Sequence, residues 1–275
     1  MTDDALDDQV LYRVDAGVAR LTLNRPQAGN ALTPEQRNRI ITLLEDASAD
    51  LAIRVIVIGA QGKHFCTGAD LRADRGSGPP RPEGAPERPT GTVARMIATG
   101  AQRLIAAILD CEKPVIAAVG GTAAGIGAHL ALAADLVIAS EEARFIEVFV
   151  RRGIIPDGGG AYLLPRLVGL HQAKELMFFG DDLSAGEALR IGLVNRVVPA
   201  AELDAAVRDW ADRLASGPTV AIGLAKRLLN RSLESDRLTA FAEEAAAQEL
   251  AMSSSDAQEG VASFVERRPT EFKGW

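Results

Sequence analysis

The segment from Lys113 to Ser140 constrains the fold of this chain more than any other part of it. It begins as an apolar run typical of a buried strand, passes four glycines within eight positions, and continues as an alanine-rich helix to Ala134. A second apolar strand follows Asp135. Because glycine has no Cβ, the backbone N–H groups of such a turn can approach a ligand closely at a helix start. We therefore predict a strand–turn–helix–strand unit whose turn supplies half of an anion-stabilising site.

Strand and helix patterns alternate on both sides of this segment. Residues 10–14 and 18–23 alternate apolar and polar side chains around an Asp-Ala-Gly sequence, which predicts a β-hairpin. The sequence TPEQ at 33–36 is a capping box with proline at the first helical position, so a helix should begin there. Residues 55–58 form a short run of buried-strand type. Repeated strand–helix units imply an α/β fold with right-handed crossovers and a mostly parallel sheet.

The last part of the chain has a purely helical pattern, because no strand pattern follows Val198. Four segments have helical periodicity and composition: 201–215, 219–231, 236–252 and 256–267. Ser255 is the expected cap of the last helix. We predict an α/β core over residues 1–199 and a helical region over residues 200–275.

Residues 72–92 are rich in glycine, proline and arginine and contain no pattern that could build a core. This composition predicts a mobile loop. A linker between two domains is the alternative. The helical pattern from Met96 to Leu109 leads directly into the strand after Lys113, which favours a loop within one domain.

Charge and composition exclude several classes of function. The formal net charge is −7 and the chain has no long basic run, so nucleic acid is not an expected partner. The N-terminal sequence MTDDALDDQV is acidic and polar, unlike a targeting peptide. The two cysteines match no ligand spacing and are expected to be reduced thiols of a cytoplasmic protein. The three histidines lie far apart, so no metal site is expected.

One apolar run has the length of a membrane span. The run from Val115 to Ala134 contains no Asp, Glu, Lys or Arg. It is rich in alanine and glycine rather than leucine, it contains His129, and no basic cluster flanks it. We therefore expect a buried strand, turn and core helix, and no membrane partner.

The familiar nucleotide and nucleophile motifs are absent from the sequence. A G-x-G-x-x-G pattern starts at Gly125 but fails at Leu130, and neither a phosphate-binding loop nor a G-x-S-x-G turn occurs. Two glycine-bearing turns, around Ala69 and Ile126, are each expected to follow a strand and to open a helix. Together they could offer two N–H groups to one oxyanion, and a third turn carries the carboxylate of Asp157. This combination suits proton transfer next to a carbonyl.

Six blocks of the chain, in the same order, resemble the enoyl-CoA hydratase/isomerase (crotonase) superfamily. The blocks are LNRPQAGNAL (23–32), FCTGADL (65–71), KPVIAAVGGTAAGIG (113–127), RRGIIPDGGGAYLLPRLVG (151–169), SAGEALRIGLVNRVV (184–198) and FVERRPTEFKGW (264–275). The resemblance implies a spiral of ββα units with a helical C-terminal region that serves trimerisation. It also implies homotrimers or dimers of trimers and acyl-CoA thioester substrates. No permanently bound cofactor is implied, since coenzyme A arrives as part of the substrate.

The resemblance also implies roles for individual residues. The N–H groups of Ala69 and Ile126 would form the oxyanion hole. The family usually has glycine at the second position, and the β-branched Ile126 would narrow the acyl pocket. Residues expected to line the coenzyme A path are Arg25, Ala28, Ala69, Asp70, Leu71, Arg72 and Lys273. For Arg25 and Lys273, a solvated surface charge is the alternative. Arginines of the predicted loop could bind the anionic group too, or only keep the loop soluble: Arg72, Arg75, Arg81 and Arg88.

Two departures from the family pattern bear on the reaction. Hydratases of this family use two glutamates, and the matching positions here hold His129 and Phe149. Glu147 is two residues away from the second position and need not point into the same space. Hydration needs a water held between two carboxylates, so the resemblance favours an isomerase with Asp157 as the acid and base. The alternatives are an enoyl-CoA hydratase and an acyl-CoA-binding pseudoenzyme.

Two of these residues have structural alternatives. Asp157 could be the N-cap of the following helix, whose N-terminus would lower its pKa. An apolar environment from Phe149 and Ile126 would act in the opposite direction. His129 could be a general acid or base, or a core histidine bonded to a backbone carbonyl. It lies three residues after Ile126 and should face the same way.

Overall fold

The computed structural model describes residues 6, 8–72, 82–86 and 89–275. Most of the predicted loop over 72–92, with Arg75, Arg81 and Arg88, lies outside the described residues.

Ten strands of the described chain form two sheets. The strands are β1 Val10–Asp15, β2 Val18–Leu23, β3 Val55–Ala60, β4 His64–Cys66, β5 Val115–Val119, β6 Thr122–Ala124, β7 Leu136–Ser140, β8 Arg144–Ile146, β9 Leu183–Ser184 and β10 Arg196–Val198. The larger sheet has the order β1-β2-β3-β5-β7-β10, and all its pairs are parallel except β1 with β2. The smaller sheet has the order β4-β6-β8-β9. The predicted α/β class with a mostly parallel sheet is confirmed.

Helices connect the strands and make up the C-terminal part of the chain. The α-helices are α1 Pro34–Ala49, α2 Thr92–Ile97, α3 Arg103–Leu109, α4 Ile126–Leu132, α5 Gly160–Val168, α6 Leu170–Phe179, α7 Ala185–Arg190, α8 Leu203–Ala215, α9 Thr219–Ser232, α10 Arg237–Met252 and α11 Ser255–Glu266. The capping box at α1 is present in full, since Thr33 accepts from the N–H of Gln36 and the Gln36 side chain accepts from the N–H of Thr33. The cap of α11 is Ser254 rather than the expected Ser255, because the Ser254 hydroxyl accepts from the N–H of Ala257.

The predicted hairpin is confirmed. β1 and β2 pair in antiparallel register with Asp15 opposite Val18. The two residues between them, Ala16 and Gly17, have φ values of 47° and 79°. Two positive φ values suit the right-handed twist of a two-residue hairpin.

The smaller sheet was not predicted from the sequence. Its strands have two or three residues each. Segments this short contain too few residues for strand periodicity to be recognised. The parallel order of β4, β6 and β8 nevertheless has a functional consequence, because the carboxyl ends of these strands meet at one edge.

The C-terminal helices are joined to the core rather than separate from it. In α8, Leu203, Val207 and Ala211 pack on β3, β5 and β7 of the larger sheet. In α9, the buried ammonium of Lys226 lies 2.8 Å from Asp135 and also donates to the carbonyls of Ile108 and Lys113. The first helix of the region predicted as 200–275 therefore completes the core of the preceding part.

In the described part of the chain, one helical segment has the length and composition of a membrane span. It runs from Thr92 to Leu109 and has a mean hydropathy of 1.2, and 22% of its residues are buried in the protein. A π-helical turn, Ala98–Gln102, joins its two halves. In the second half, Leu104 and Ile108 are fully buried in the core.

Candidate active site

The smaller sheet brings two of the predicted turns together. β4 and β6 are parallel neighbours with Cys66 paired to Ala123, and both turns begin just after this pair. Gly127 lies against β4 so closely that a Cβ on it would be 2.2 Å from the carbonyl oxygen of Cys66. Only glycine allows this approach. The turn around Ala69 and the turn around Ile126 are therefore adjacent.

The backbone of Ala69 is oriented by Leu32. The Leu32 N–H donates to the Gly68 carbonyl at 2.8 Å, and the Asp70 N–H donates to the Leu32 carbonyl at 2.8 Å. Backbone groups of an extended chain alternate in direction, so the N–H of Ala69 points away from Leu32. The opposite side of β4 is occupied by β6. The Ala69 N–H therefore faces the turn that follows β6. Among the described residues, no helix opens after Ala69, contrary to our expectation; a turn at 71–72 follows.

The second N–H belongs to a turn that requires glycine. Gly125 has φ 54° and ψ −126°, a combination essentially restricted to glycine. This residue ends β6 and lets Ile126 become the first residue of α4, where an N–H has no carbonyl one turn earlier within the helix. A Cβ on Gly68 would lie 3.2 Å from the Ala124 carbonyl, which shows how close the two turns are. The arrangement suits two N–H donors that face one oxygen atom.

His129 is a core residue that bonds a carboxylate, not a backbone carbonyl. Its side chain is fully buried, and Nε2 lies 3.1 Å from Oε2 of Glu147. Glu147 directly follows β8, so the smaller sheet positions it beneath α4. The Glu147 side chain is 6% exposed. From the sequence, Glu147 need not point into the same space as the side chain at position 149. In the structure, its carboxylate points at the imidazole of His129.

The other ring nitrogen of His129 faces the third turn. Within the described chain, Nδ1 is buried without a hydrogen-bond partner. A Cβ on Gly158 would lie 3.2 Å from this Nδ1 and 2.2 Å from Cδ1 of Ile126. Ile126 and His129 thus face the same way, as their spacing predicted. The Phe149 ring stacks on the imidazole with centroids 5.2 Å apart and planes at 13°. Phe149 and Ile126 give this side of the site an apolar wall.

Asp157 precedes Gly158 in the third turn and is half-buried. The N-cap of α5 is Gly159, and no side chain caps this helix. The alternative that Asp157 is an N-cap is therefore wrong. Burial raises the pKa of Asp157, and the positive charge of His129 lowers it, with a net rise. A carboxylate with a raised pKa is a better proton acceptor than an ordinary aspartate at neutral pH.

Arg25, predicted to contact coenzyme A, is engaged within the chain. Its guanidinium lies 3.0 Å from Asp70 and donates to the Ala31 carbonyl and to Gln36 Oε1 at 2.9 and 3.2 Å. The side chains of Arg25 and Asp70 are only 18% and 14% exposed. Arg25 is therefore not a freely solvated surface charge. It joins the loop after β2 to the turn that carries Ala69.

The other residues predicted to contact coenzyme A lie at three places. Ala28 ends the 3₁₀ turn Pro26–Ala28 beside Arg25 and is half-buried. Leu71 and Arg72 follow Asp70 at the surface, where Leu71 is 61% exposed. Lys273 lies in the C-terminal tail, and its backbone N–H donates to Asp256 at 2.7 Å. Their contacts with coenzyme A remain predictions.

Asn30 was missed as a positioning residue. It is buried, has φ 54°, and its side chain accepts from the Arg25 N–H. The same side chain donates to the carbonyls of Gln61 and His64 at 2.9 and 2.7 Å. It thereby fixes the loop after β2 against the start of β4. Asparagine tolerates positive φ better than most residues, so the Gly-Asn pair in the first matched block was the available signal.

Neither a metal nor a nucleophilic thiol is indicated at the site. Within residues 6, 8–72, 82–86 and 89–275, no three His, Cys, Asp or Glu residues are grouped to hold a metal ion. Cys66 lies beneath Gly127, but burial raises the pKa of its thiol to about 12. The thiol is therefore neutral at physiological pH and is not a nucleophile.

Comparison with known proteins places the chain among relatives that match nearly its whole length. The family model described as enoyl-CoA hydratase/isomerase matches residues 13–275. The chain is 37% identical over 265 residues or more to relatives of this kind, among them the short-chain-enoyl-CoA hydratase of Clostridium acetobutylicum, with 96% of this chain and 97% of that protein covered. It is 36% identical to the 1,2-epoxyphenylacetyl-CoA isomerase of Escherichia coli, with 96% and 98% covered.

A solved structure agrees with the sequence relatives. The crystal structure of the enoyl-CoA hydratase/isomerase from Cupriavidus metallidurans matches with a TM-score of 0.86 at 37% identity. The match covers 98% of this chain and 97% of that one. Sequence, fold and the paired glycine turns lead to the same conclusion: this chain belongs to the enoyl-CoA hydratase/isomerase family of acyl-CoA enzymes, and its fold is the crotonase fold.

Proposed function

We propose that the protein shifts a carbon–carbon double bond in an enoyl-CoA thioester, with Asp157 as the acid and base. The observation that carries this proposal is the position of Asp157. It is a half-buried carboxylate with a raised pKa, in the turn that packs on Ile126 and His129, and it caps no helix. The turn that carries Asp157 thus packs on Ile126, whose N–H is one of the two proposed oxyanion donors.

The proposed reaction needs one carboxylate and one oxyanion site. Asp157 removes a proton from the carbon between the double bond and the thioester carbonyl, and the electron pair moves onto the carbonyl oxygen. The N–H groups of Ala69 and Ile126 stabilise the resulting dienolate. Asp157, now a carboxylic acid, returns the proton two carbons away as the carbonyl re-forms. The atoms of substrate and product are the same, and no water is consumed.

The surroundings favour proton transfer over water addition. Hydration in this family needs two carboxylates that hold one water, and the matching positions are His129 and Phe149. His129 is fully buried and bonded to Glu147, and Phe149 presents an apolar ring that stacks on it. Neither side chain offers a free carboxylate to a water molecule.

Two other functions are distinguished by experiment. Several relatives are named hydratases, so hydration of a 2-enoyl-CoA is the second candidate. An acyl-CoA-binding protein without turnover is the third. All three would bind an acyl-CoA thioester, so binding alone does not separate them.

The test follows conjugation of the double bond by ultraviolet absorbance. The purified protein is given a 3-enoyl-CoA and, separately, crotonyl-CoA, and both reactions are repeated with Asp157→Asn. A matched control is Asp182→Asn, which changes an exposed carboxylate paired with Arg151. We expect conversion of the 3-enoyl-CoA by the wild type and by the control. Loss of a general base should slow Asp157→Asn by about 10²-fold or more.

Three outcomes would contradict the proposal. Rapid hydration of crotonyl-CoA without conversion of the 3-enoyl-CoA would show a hydratase. Binding of both thioesters without either reaction would show a pseudoenzyme. Unchanged conversion by Asp157→Asn would show that another group carries the proton.

A further inference from the structure

The side chain of Ile126 has no role in the proposed isomerisation, which uses only the N–H group of this residue. We propose that this side chain selects the substrate: it fills the space between its own N–H and the turn of Asp157, and so restricts the protein to 3-enoyl thioesters without a branch on the carbon next to the carbonyl. This role rests on the proposed function, which places that carbon between the Ile126 N–H and Asp157.

The Ile126 side chain extends from the donor amide to the third turn. Ile126 is the first residue of α4, and side chains of a helix lean toward its N-terminus, where the first N–H groups also point. A Cβ on Gly158 would overlap Cδ1 of Ile126 and would lie 3.5 Å from its Cγ1. The side chain thus reaches from the N–H proposed to hold the carbonyl oxygen to the residue that follows Asp157.

A bound thioester has to lie along this side chain. Its carbonyl oxygen is held by the N–H of Ile126, and the proton that Asp157 removes is on the next carbon. That carbon therefore lies beside the aliphatic carbons of Ile126. The side chain of Ala69, the other donor, ends at Cβ, so Ile126 is the donor whose side chain limits the space. A methyl group in place of the second hydrogen would be crowded by it.

The Ile126 side chain is fixed in this position. It is 7% exposed, and a β-branched side chain in a helix strongly prefers one χ1 rotamer. The space next to the preceding residue is also filled, because a Cβ on Gly125 would lie 3.2 Å from Val148 and 3.6 Å from the Phe149 ring. Ile126 therefore has little room to turn aside for a wider substrate.

The third turn is held in place from other sides. A Cβ on Gly159 would lie 3.3 Å from Cγ2 of Ile105 in α3, and a Cβ on Gly160 would overlap the ring of His129 in α4. Both side chains are buried in the core. A packed core does not give way easily, so the turn is not free to move back and enlarge the space beside Ile126.

The kinetic experiment compares an unbranched and a branched substrate. kcat/KM is measured for 3-pentenoyl-CoA and for 2-methyl-3-pentenoyl-CoA with the wild type, Ile126→Val and Ile126→Ala. Ile126→Val removes the Cδ1 that reaches Gly158, Ile126→Ala also removes both γ-carbons, and both variants keep the backbone N–H. The ratio of the two kcat/KM values does not depend on how much of a protein is folded. A change of this ratio between proteins is also independent of the intrinsic reactivities of the two thioesters.

A binding experiment measures the same space without the reaction. Dissociation constants of pentanoyl-CoA and 2-methylpentanoyl-CoA are measured by calorimetry with the same proteins. These thioesters have no double bond to shift, so their binding reports the space at Ile126 even in a protein without isomerase activity. The control is Ile138→Val, since Ile138 is fully buried on β7 in a separate hydrophobic cluster that includes residues of α8.

We expect the wild type to prefer the unbranched thioester in both experiments. Ile126→Ala should lower this preference by about tenfold or more, because a pocket that loses carbon atoms admits one more methyl group. Ile126→Val should lower it by less, and Ile138→Val should keep the wild-type ratios.

Unchanged ratios in both Ile126 variants would overturn the inference, and the proposed function would stand if the unbranched thioester were still converted. An equal loss of preference in Ile138→Val would also overturn it, because a loosened core rather than the contact at Ile126 would then be the cause. If the wild type converted neither 3-enoyl thioester, the proposed function would fail. The dissociation constants would in that case decide whether Ile126 excludes the branched chain.

Discussion

At the level of single residues, the proposed isomerisation needs a carboxylate that is not held in a buried hydrogen bond. Glu147 and Asp157 both approach His129, but only Glu147 is bonded to the ring. Asp157 is half-buried, has a raised pKa, and lies in a turn without a capping role. A carboxylate held in a buried hydrogen bond is restrained, whereas the half-buried Asp157, with its raised pKa, suits proton transfer.

The glycines of the third turn make this arrangement possible. Gly160 is the first residue of α5 and faces the imidazole directly. We predict that Gly160→Ala lowers the free energy of unfolding by about 1–3 kcal/mol, because the new methyl group overlaps the His129 ring. The ring or the helix must shift, so isomerase activity should fall as well. Chemical denaturation and the ultraviolet assay measure both effects.

Gly186→Ala is the matched control for this prediction. Gly186 lies in α7, has no atom within 4 Å of a new Cβ, and has no positive φ. This change should raise the free energy of unfolding by about 0.4–1 kcal/mol, because alanine is less free in the unfolded chain. Equal stability of Gly160→Ala and Gly186→Ala would show that the contact with His129 is not tight.

Some of these residues could be predicted from the sequence, and others could not. Asp157, Ala69 and Ile126 stand next to glycines in the matched blocks, so local sequence indicates their turns. The bond from His129 to Glu147 joins residues 18 positions apart on a helix and after a strand. No local pattern encodes such a contact, since it depends on how β8 lies beneath α4. The cap at Ser254 differs by one residue from the expected position, because several adjacent serines could serve.

At the scale of elements, the site is built where three short parallel strands end. β4, β6 and β8 lead into the Ala69 turn, the Ile126 turn and Glu147. The sequence predicts a strand before each glycine turn, but segments of two or three residues do not reveal that they form a second sheet. The longer strands of the large sheet were recognised because each has five or six apolar or alternating residues. The edge strand β10 is shorter, with three residues.

The link between Arg25 and Asp70 belongs to this scale, because it joins the loop after β2 to the Ala69 turn. We predict that Arg25→Ala and Asp70→Asn both lower the thermal midpoint, since each removes an ion pair between two largely buried side chains. If Arg25 also contacts the coenzyme A moiety, Arg25→Ala should raise KM by about tenfold or more, while Arg103→Ala, which changes an exposed arginine paired with Glu45, should not. Thermal melting and steady-state kinetics measure these effects.

The two variants Arg25→Ala and Asp70→Asn break the same ion pair, so their thermal midpoints should fall together. An unchanged KM in Arg25→Ala would limit Arg25 to a structural role and contradict the predicted coenzyme A contact. An unchanged thermal midpoint in both would show that the ion pair does not hold the turn.

At the scale of the whole molecule, α9 is anchored to the core by Lys226. Its side chain is 5% exposed and bonds Asp135 and the carbonyls of Ile108 and Lys113. We predict that Lys226→Met lowers the free energy of unfolding by about 3–5 kcal/mol, because the largely buried carboxylate of Asp135 loses its cationic partner. Chemical denaturation measures the change.

Lys174→Met is the control, since Lys174 is exposed on α6. It should change the free energy of unfolding by no more than about 0.5 kcal/mol. A similarly small effect of Lys226→Met would mean that α9 is not held through this ion pair.

The C-terminal helices also expose apolar side chains that a single chain does not cover. Examples from α9, α10 and α11 are Leu229, Leu238, Phe241, Phe264 and Val265. A groove of about 500 Å³ between α9 and α10 is lined mainly by alanine and leucine. Clusters of exposed apolar side chains are typical of protein interfaces. It supports the predicted role of this region in assembly.

We predict a homotrimer or a dimer of trimers in solution. Light scattering should give three or six times the 29.0 kDa of one chain. Phe264→Glu, at a side chain 85% exposed, should lower that mass, whereas Leu51→Glu, at an exposed turn after α1, should not. A wild-type mass of one chain would contradict the prediction.

In the proposed reaction, Asp157 moves a proton within the thioester and no water is added. The most direct test is the mass of the thioester formed from a 3-enoyl-CoA by the wild type and by Asp157→Asn. We expect a product with the mass of the substrate and a conjugated double bond, formed at least about 10²-fold more slowly by Asp157→Asn. A product heavier by one water, or equal rates for the two proteins, would rule out proton transfer by Asp157.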